Sequence, residues 1–190
     1  MGRTNIAVED EIAGALADEA SKENKTVYAL ANEAMKAVLR VCDEGGKPDD
    51  VYVSWFFVRI LRDLDSVPIP GDLLEKMVKA LYAADSDSLL KYWFEEGVRT
   101  GAYLHLSSPK IEGLSSEVRA LSQANLLPVK RVEIRGEEDN KVVIRVIGAG
   151  LSMESTKCAE AFIKGIVSAY SLKVVGSSVT GSIIELKVSK

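Results

Sequence analysis

Histidine and cysteine are scarce in this sequence, with one histidine and two cysteines among 190 residues. A histidine-based metal cluster or a catalytic histidine pair within one chain is excluded, because His105 has no second histidine to act with. Cys42 and Cys158 lie far apart and follow neither a zinc-ligand spacing nor a disulfide framework. The sequence therefore predicts no catalytic residues, no metal ligands and no cofactor, and the protein is not expected to be an enzyme.

Long apolar runs are missing as well. No stretch approaches the 18 apolar residues that a membrane-spanning helix needs. The N-terminal sequence MGRTNIAVEDE has no apolar segment after its charged residue, unlike a secretory signal peptide. Two distant cysteines do not argue for an oxidising compartment. We therefore expect a cytoplasmic protein with no membrane partner.

The N-terminal end has fewer positive than negative residues. Residues 1–45 contain five Lys/Arg and nine Asp/Glu, and the remaining residues are balanced, so this segment accounts for the net charge of −4. The acidic run at 9–11 suits the positive end of a helix. An acidic surface nevertheless opposes DNA binding, because contacts to phosphate dominate the affinity of proteins for DNA.

What the N-terminal segment has is a short alternating run followed by two helical patterns. Residues 3–8 alternate as a strand does, and helical periodicity follows over two segments separated by KENKT. Asn24 is a candidate left-handed residue, and Thr26 a candidate N-cap of the second helix. One strand face would carry Thr4, Ile6 and Val8, and the other Arg3, Asn5 and Ala7.

The segment TNIAVEDEIAGALADEASKENKTVYALANEAMKAVLR resembles the ribbon-helix-helix family of transcription regulators over residues 3–42. The resemblance implies an intertwined homodimer in which paired N-terminal strands enter the major groove of double-stranded operator DNA. By the same resemblance, the base contacts would come from Arg3, Asn5 and Ala7. The phosphate contacts at the start of the second helix would come from Lys25, Thr26 and Val27.

The rest of the chain predicts an α+β domain. The stretch DEGGKPDD (43–50) is a probable linker between a ribbon-helix-helix domain at 1–45 and a second domain at 50–190. Helical patterns fill 50–126, although 51–58 also fits a strand. A D-x-x-E start, Asp72 and Glu75, marks one of these helices. Over 128–190 the order strand, strand, helix, strand, strand is predicted.

Residues 70–190 resemble the 4-vinyl reductase domain, a small-molecule sensor fold. The resemblance depends on the order of elements and on helices that carry Gly97, Gly101 and Gly165. That family often carries cysteines in its last strands, and this chain has none there, which puts a metal or cofactor role in doubt. The glycines are also explained by close helix packing alone. Aromatic side chains at 55–57, 92 and 93 could line a pocket for a small apolar ligand.

Three further motifs are open to more than one interpretation. The turn at 137–140 fits a solvated hairpin better than a calcium site. Gly148 and Gly150 in GAGLSMES match neither G-x-G-x-x-G nor G-K-[ST], the patterns of phosphate-binding loops. They favour a tight turn, with Ser152 near a helix cap. Cys158 lies on an apolar helical stripe, which favours a buried thiol over a nucleophile.

The function predicted from the sequence is a homodimeric DNA-binding transcription regulator, such as a repressor. It would insert a two-stranded ribbon into the major groove and carry a C-terminal domain for ligand sensing or for assembly into higher oligomers. The alternative is a small-molecule-binding or scaffold protein in which the N-terminal ribbon-helix-helix serves only for dimerisation.

Overall fold

The computed structural model describes residues 5–123, 129–137 and 141–189. Across these residues the chain is mainly helical, with one antiparallel sheet near its C-terminal end. The α-helices are α1 (Asp10–Lys22), α2 (Val27–Asp43), α3 (Pro48–Asp63), α4 (Gly71–Ala84), α5 (Ser86–Ser107), α6 (Ser115–Gln123) and α7 (Met153–Ala169). A short 3-10 helix, Ile111–Leu114, precedes α6. The strands are β1 (Arg131–Glu137), β2 (Lys141–Ile147), β3 (Lys173–Thr180) and β4 (Ile183–Ser189).

The N-terminal strand predicted from the sequence is wrong. Residues 5–9 have no regular secondary structure, and Ile6 and Val8, expected on the buried face, are 66% and 56% exposed. An isolated strand cannot satisfy its backbone groups, and the described strands of this chain pair only among themselves. The predicted fold class is therefore corrected from one that opens with a ribbon-helix-helix to a mainly helical chain with a C-terminal antiparallel sheet.

The chain divides into two compact units, residues 1–54 and 55–190. In the described part of the smaller unit, the buried apolar side chains are those of Ala20 and Val53. The left-handed residue and the helix cap predicted in this unit are confirmed, because such features depend only on neighbouring residues. Asn24 has a φ of +53°, and the hydroxyl of Thr26 accepts a hydrogen bond from the Ala29 N–H at 3.1 Å.

The larger unit contains a very close crossing of α5 and α7. Gly97 of α5 and Gly165 of α7 are buried at this crossing. A Cβ atom added at Gly97 would overlap the carbonyl oxygen of Phe162, and one added at Gly165 would overlap that of Phe94. The backbones of the two helices therefore meet directly, and glycine is required at both positions because any side chain would separate them.

The sheet has the order β1-β2-β4-β3 and all neighbours are antiparallel. Side chains alternate between a buried face and a polar face along β2 and β4. The elements of this region follow in the predicted order, with α7 between the two hairpins. Burying each large apolar side chain stabilises the fold by about 1.5–3 kcal/mol. The buried face carries Val142, Ile144, Val146, Ile184, Leu186 and Val188, which form one core with Val167 of α7.

The turn before α7 has the predicted form. Gly148 and Gly150 have φ angles of +74° and +112°, which favour glycine. Ser152 and Ser155 form a capping box, in which each side chain bonds the backbone of the other.

The predicted D-x-x-E cap of α4 is wrong. The helix begins at Gly71 after Pro70, which makes no side-chain cap, so Asp72 and Glu75 lie inside the helix. The contact that the Glu75 side chain makes is with Lys79, whose ammonium lies 3.4 Å from Oε1.

Candidate ligand-binding site

A groove of about 410 Å³ lies between α6 and β1. This volume falls within the range of roughly 300–1,000 Å³ that is common for small-molecule sites. The lining residues are Arg119, Ser122 and Gln123 of α6, and Lys130, Arg131, Val132, Glu133, Ile134 and Arg135 at and before β1.

The strand side of the groove is the open edge of the sheet. Strand β1 is at the end of the strand order and pairs only with β2. Residues 130–135 line the groove consecutively, whereas a cavity on one face of a strand would be lined by every second residue. The groove therefore follows the unpaired edge of β1, where backbone N–H and C=O groups point away from the sheet.

The helix side of the groove is one face of α6. Arg119, Ser122 and Gln123 are spaced by three and four residues, so they lie on the same side of the helix. Arg119 and Gln123 are exposed, whereas Ser122 is buried. This face therefore presents a charged group, an amide and a buried hydroxyl to the groove.

Ser122 is the most unusual of these side chains. It is only 5% exposed, and its hydroxyl oxygen makes no hydrogen bond with any described group. Leaving a buried hydroxyl without a partner costs about 1–3 kcal/mol. A polar group in this state at the wall of a groove is well placed to bond to a bound molecule.

Two of the groove's four cations are held by its one carboxylate. The guanidinium groups of Arg131 and Arg135 lie 2.7 and 2.9 Å from the carboxylate oxygens of Glu133. Glu133 is 15% exposed, whereas the two arginines are 66% and 70% exposed. The pairs therefore cover the carboxylate and leave the outer sides of the guanidinium groups in solvent.

The other two cations are Arg119 and Lys130. Neither forms an ion pair with a side chain that the structure describes; Lys130 bonds through its backbone N–H to Ile147. With one carboxylate against four cations, the lining carries a net positive charge. This charge lies in a chain whose overall net charge is −4.

A second cavity, of about 350 Å³, lies over the polar face of the sheet. Its charged groups are already matched, because Arg145 contacts Glu185 through two nitrogens at 2.5 and 3.0 Å. In the strand register Arg145 lies between Glu133 and Glu185. These three residues form a cross-strand ladder of alternating charge, which supports the sheet and offers fewer free groups to a ligand.

Glu75 is the most enclosed carboxylate of α4, with its side chain 12% exposed. Burial acts to raise its pKa, but the neighbouring hydroxyl groups of Ser152 and Ser155 and the charge of Lys79 outweigh burial and lower the pKa. The Lys79 ammonium lies 3.4 Å from Oε1 of Glu75, one helical turn away. The carboxylate therefore stays ionised, and its pairing with Lys79 supports α4, which is a structural role.

Neither His105 nor Cys158 has the setting of a reactive group. The His105 ring packs edge-on against Tyr170, with ring centroids 4.8 Å apart. Cys158 is fully buried, and burial raises the pKa of its thiol to about 11, so little thiolate forms near neutral pH. Neither cavity is lined by these residues or by the aromatic side chains proposed to form an apolar pocket.

Two kinds of feature are absent among the described residues. No group of three or more histidine, cysteine, aspartate or glutamate side chains among them is arranged to hold a metal ion. No helix among them is long and apolar enough to cross a membrane.

Of the six residues predicted to contact DNA, the structure describes five. Arg3 lies outside the described residues, as does most of the hairpin turn at 137–140. Asn5 and Ala7 are exposed in the irregular N-terminal segment. Lys25 lies 2.8 Å from Glu23 and 2.6 Å from Glu33, which offset its charge. Thr26 caps α2, and Val27 is its exposed first residue.

No protein-family model matches the chain, and no curated protein matches it. Three solved structures show some likeness, and all are H-NOX proteins. A mutant H-NOX of T. tengcongensis shares 12% identity, with a TM-score of 0.41 and 95% of each chain covered. A structure from work on haem distortion in the H-NOX family has 12% identity, a TM-score of 0.40 and covers 74% of this chain and 86% of that one. A third, from work on H-NOX activation, has 13% identity, a TM-score of 0.37 and covers 74% and 87%.

Likeness at this level establishes neither a family nor a function for this chain. The interpretation as a DNA-binding repressor is nevertheless corrected. The ribbon strand that would read operator DNA is missing from the described residues, because residues 5–9 form no strand. The resemblances to the ribbon-helix-helix family and to the 4-vinyl reductase domain remain predictions.

The groove itself was missed by sequence reasoning. The alternation of Arg131, Glu133 and Arg135 in VKRVEIRG was a usable signal, because it places three charges on one side of a strand. Nothing in the sequence indicates that Ser122 is buried without a partner or that α6 packs beside β1.

Proposed function

We propose that this chain is a small-molecule-binding protein whose larger unit binds its ligand in the groove between α6 and β1. The main support is Ser122, a residue of the groove lining whose buried hydroxyl has no described partner. The volume of the groove suits a small molecule rather than a macromolecule. This role corresponds to the alternative function predicted from the sequence, without its ribbon-helix-helix.

The proposed role is binding, not catalysis. The groove has cations, one shielded carboxylate and hydroxyl and amide groups, but no nucleophile with a base beside it. A cytoplasmic location remains a prediction, and the free thiols of Cys42 and Cys158 are consistent with it.

A second role, self-association through the N-terminal unit, is favoured by a separate observation. On α2, Tyr28, Met35 and Leu39 are 61%, 41% and 59% exposed. Their spacing of seven and four residues places them on one side of the helix. An exposed apolar stripe of this kind is typical of an interaction surface.

The ligand site is tested by filling the groove from an exposed position. We suggest Gln123→Trp, with Gln123→Ala as the matched control, and a thermal-shift screen of a chemically diverse library of small molecules against the full chain. The proposal expects at least one compound that raises the melting temperature of the wild type and of Gln123→Ala but not of Gln123→Trp. Compounds that stabilise all three proteins equally, or no stabilising compound, would contradict it.

A further inference from the structure

We infer that the groove between α6 and β1 selects small organic anions, namely molecules with a carboxylate or phosphate group and an apolar body. This inference rests on the proposed function and names the class of ligand. Three features of the groove support it: the charges of its lining, the hydroxyl of Ser122 and its apolar side chains.

The charges point to an anion. Arg131 and Arg135 share the single carboxylate of the groove, and Arg119 and Lys130 have no described carboxylate to pair with. Guanidinium and ammonium groups are donors only, so their natural complements are acceptor oxygens. Carboxylate and phosphate oxygens form charge-assisted hydrogen bonds with such donors, and arginine can bind them through two parallel bonds.

The hydroxyl of Ser122 completes the polar side of the site. A serine hydroxyl can either donate or accept, and beside a cluster of cations the group that it meets is an anionic oxygen, to which it would donate. The N–H groups along the edge of β1 that face no described strand add further donors.

The apolar part of the ligand is indicated by Val132 and Ile134. Both are only partly buried, and both line the groove although their strand neighbours are charged. Both also pack against the core of the sheet, so an organic anion would cover the part of each side chain that borders the groove.

The test compares matched ligands on the full chain by isothermal titration calorimetry at low salt. Octanoate is paired with its neutral analogue octanamide, and phenyl phosphate with inorganic phosphate. The variants are Arg119→Ala and Lys130→Ala, with Arg99→Ala as the control, because Arg99 is an exposed arginine of α5 that pairs with Glu96 and does not line the groove.

The inference expects octanoate to bind the wild type at least about tenfold more tightly than octanamide, because the carboxylate forms charge-assisted hydrogen bonds. It expects phenyl phosphate to bind more tightly than inorganic phosphate, because the ring buries apolar surface. Arg119→Ala and Lys130→Ala should each weaken binding about tenfold, because each removes a charged donor, and Arg99→Ala should not. Preference for octanoate would identify a carboxylate ligand, and preference for phenyl phosphate a phosphate ester.

Two results would overturn the inference. The first is that neither octanoate nor phenyl phosphate binds. The second is that octanamide binds as tightly as octanoate and that Arg119→Ala does not change the affinity. If neutral compounds bind and Gln123→Trp abolishes their binding, the groove is still a ligand site and only the preference for anions is wrong.

Discussion

Ser122 shows how a single residue can indicate a site that no sequence motif marks. In the sequence it is one serine within ALSQANLL, and serines of this kind are usually exposed. In the fold it is buried in the wall of a groove that four cations also line, and its hydroxyl has no described partner. Its importance comes from the packing of α6 beside β1. That packing is a tertiary contact, which a local sequence pattern cannot predict.

Ser122→Ala should stabilise the ligand-free protein while weakening ligand binding. Removing the unsatisfied hydroxyl relieves a penalty, so the free energy of unfolding should rise by up to about 1 kcal/mol. Ser155→Ala is the contrast, because it removes half of a capping box and should lower the free energy by about 1 kcal/mol. Urea unfolding of both variants checks this, and a loss of stability in Ser122→Ala similar to that in Ser155→Ala would show that the hydroxyl is satisfied.

Glu75 should make the stability of the protein depend on pH. Its pKa is lowered in the fold, so its ionised form contributes stability above the ordinary carboxyl pKa, and that contribution is lost as the pH falls through the folded value. Between about pH 6 and pH 3 the wild type should therefore lose more free energy of unfolding than Glu75→Gln does. Denaturant unfolding at several pH values measures both curves, and parallel curves would contradict this role.

At the scale of elements, most helices and strands could be predicted from the sequence, because periodicity and caps are local. The four C-terminal strands, α7 and its serine cap follow the predicted pattern. The D-x-x-E signal failed at α4, because the helix begins at Gly71, so Asp72 and Glu75 lie past the cap position. Glycines on α5 and α7 indicated close packing, and the helix crossing has that form.

Gly97→Ala should be strongly destabilising. The added methyl group meets the backbone of Phe162, so α5 and α7 must separate, at a cost of about 2 kcal/mol or more and a fall in melting temperature of roughly 4–8 °C. Gly14→Ala is the matched control in helix α1, because nothing lies within 4 Å of its added Cβ. It should be neutral or stabilising by about 0.5–1 kcal/mol. Equal melting temperatures for the two variants, measured by circular dichroism, would refute the account of this crossing.

At the scale of the whole molecule, the sequence was least informative at the N-terminal end. The alternation at 3–8 is real, but a strand forms only with a partner strand, and within the described chain none is supplied. The acidic charge of residues 1–45 was the better guide, because it already opposed DNA binding.

The exposed apolar stripe on α2 predicts self-association. Leu39→Lys places a charge within the stripe and should shift the protein towards the monomer. Ala37→Lys is the control, since Ala37 is exposed on another side of the same helix and should leave association unchanged. Sedimentation velocity at several protein concentrations measures this, and identical profiles for the wild type and Leu39→Lys would exclude the stripe as an interface.

The most direct measurement is an amide nuclear magnetic resonance titration of the full chain with octanoate and with phenyl phosphate. The account predicts saturable shifts concentrated at residues 119–123 and 130–135, on the two sides of the groove. Those shifts should disappear in Gln123→Trp. Saturable shifts confined to other residues, or no saturable shifts with either compound, would contradict the assignment of this groove as the site of an organic anion.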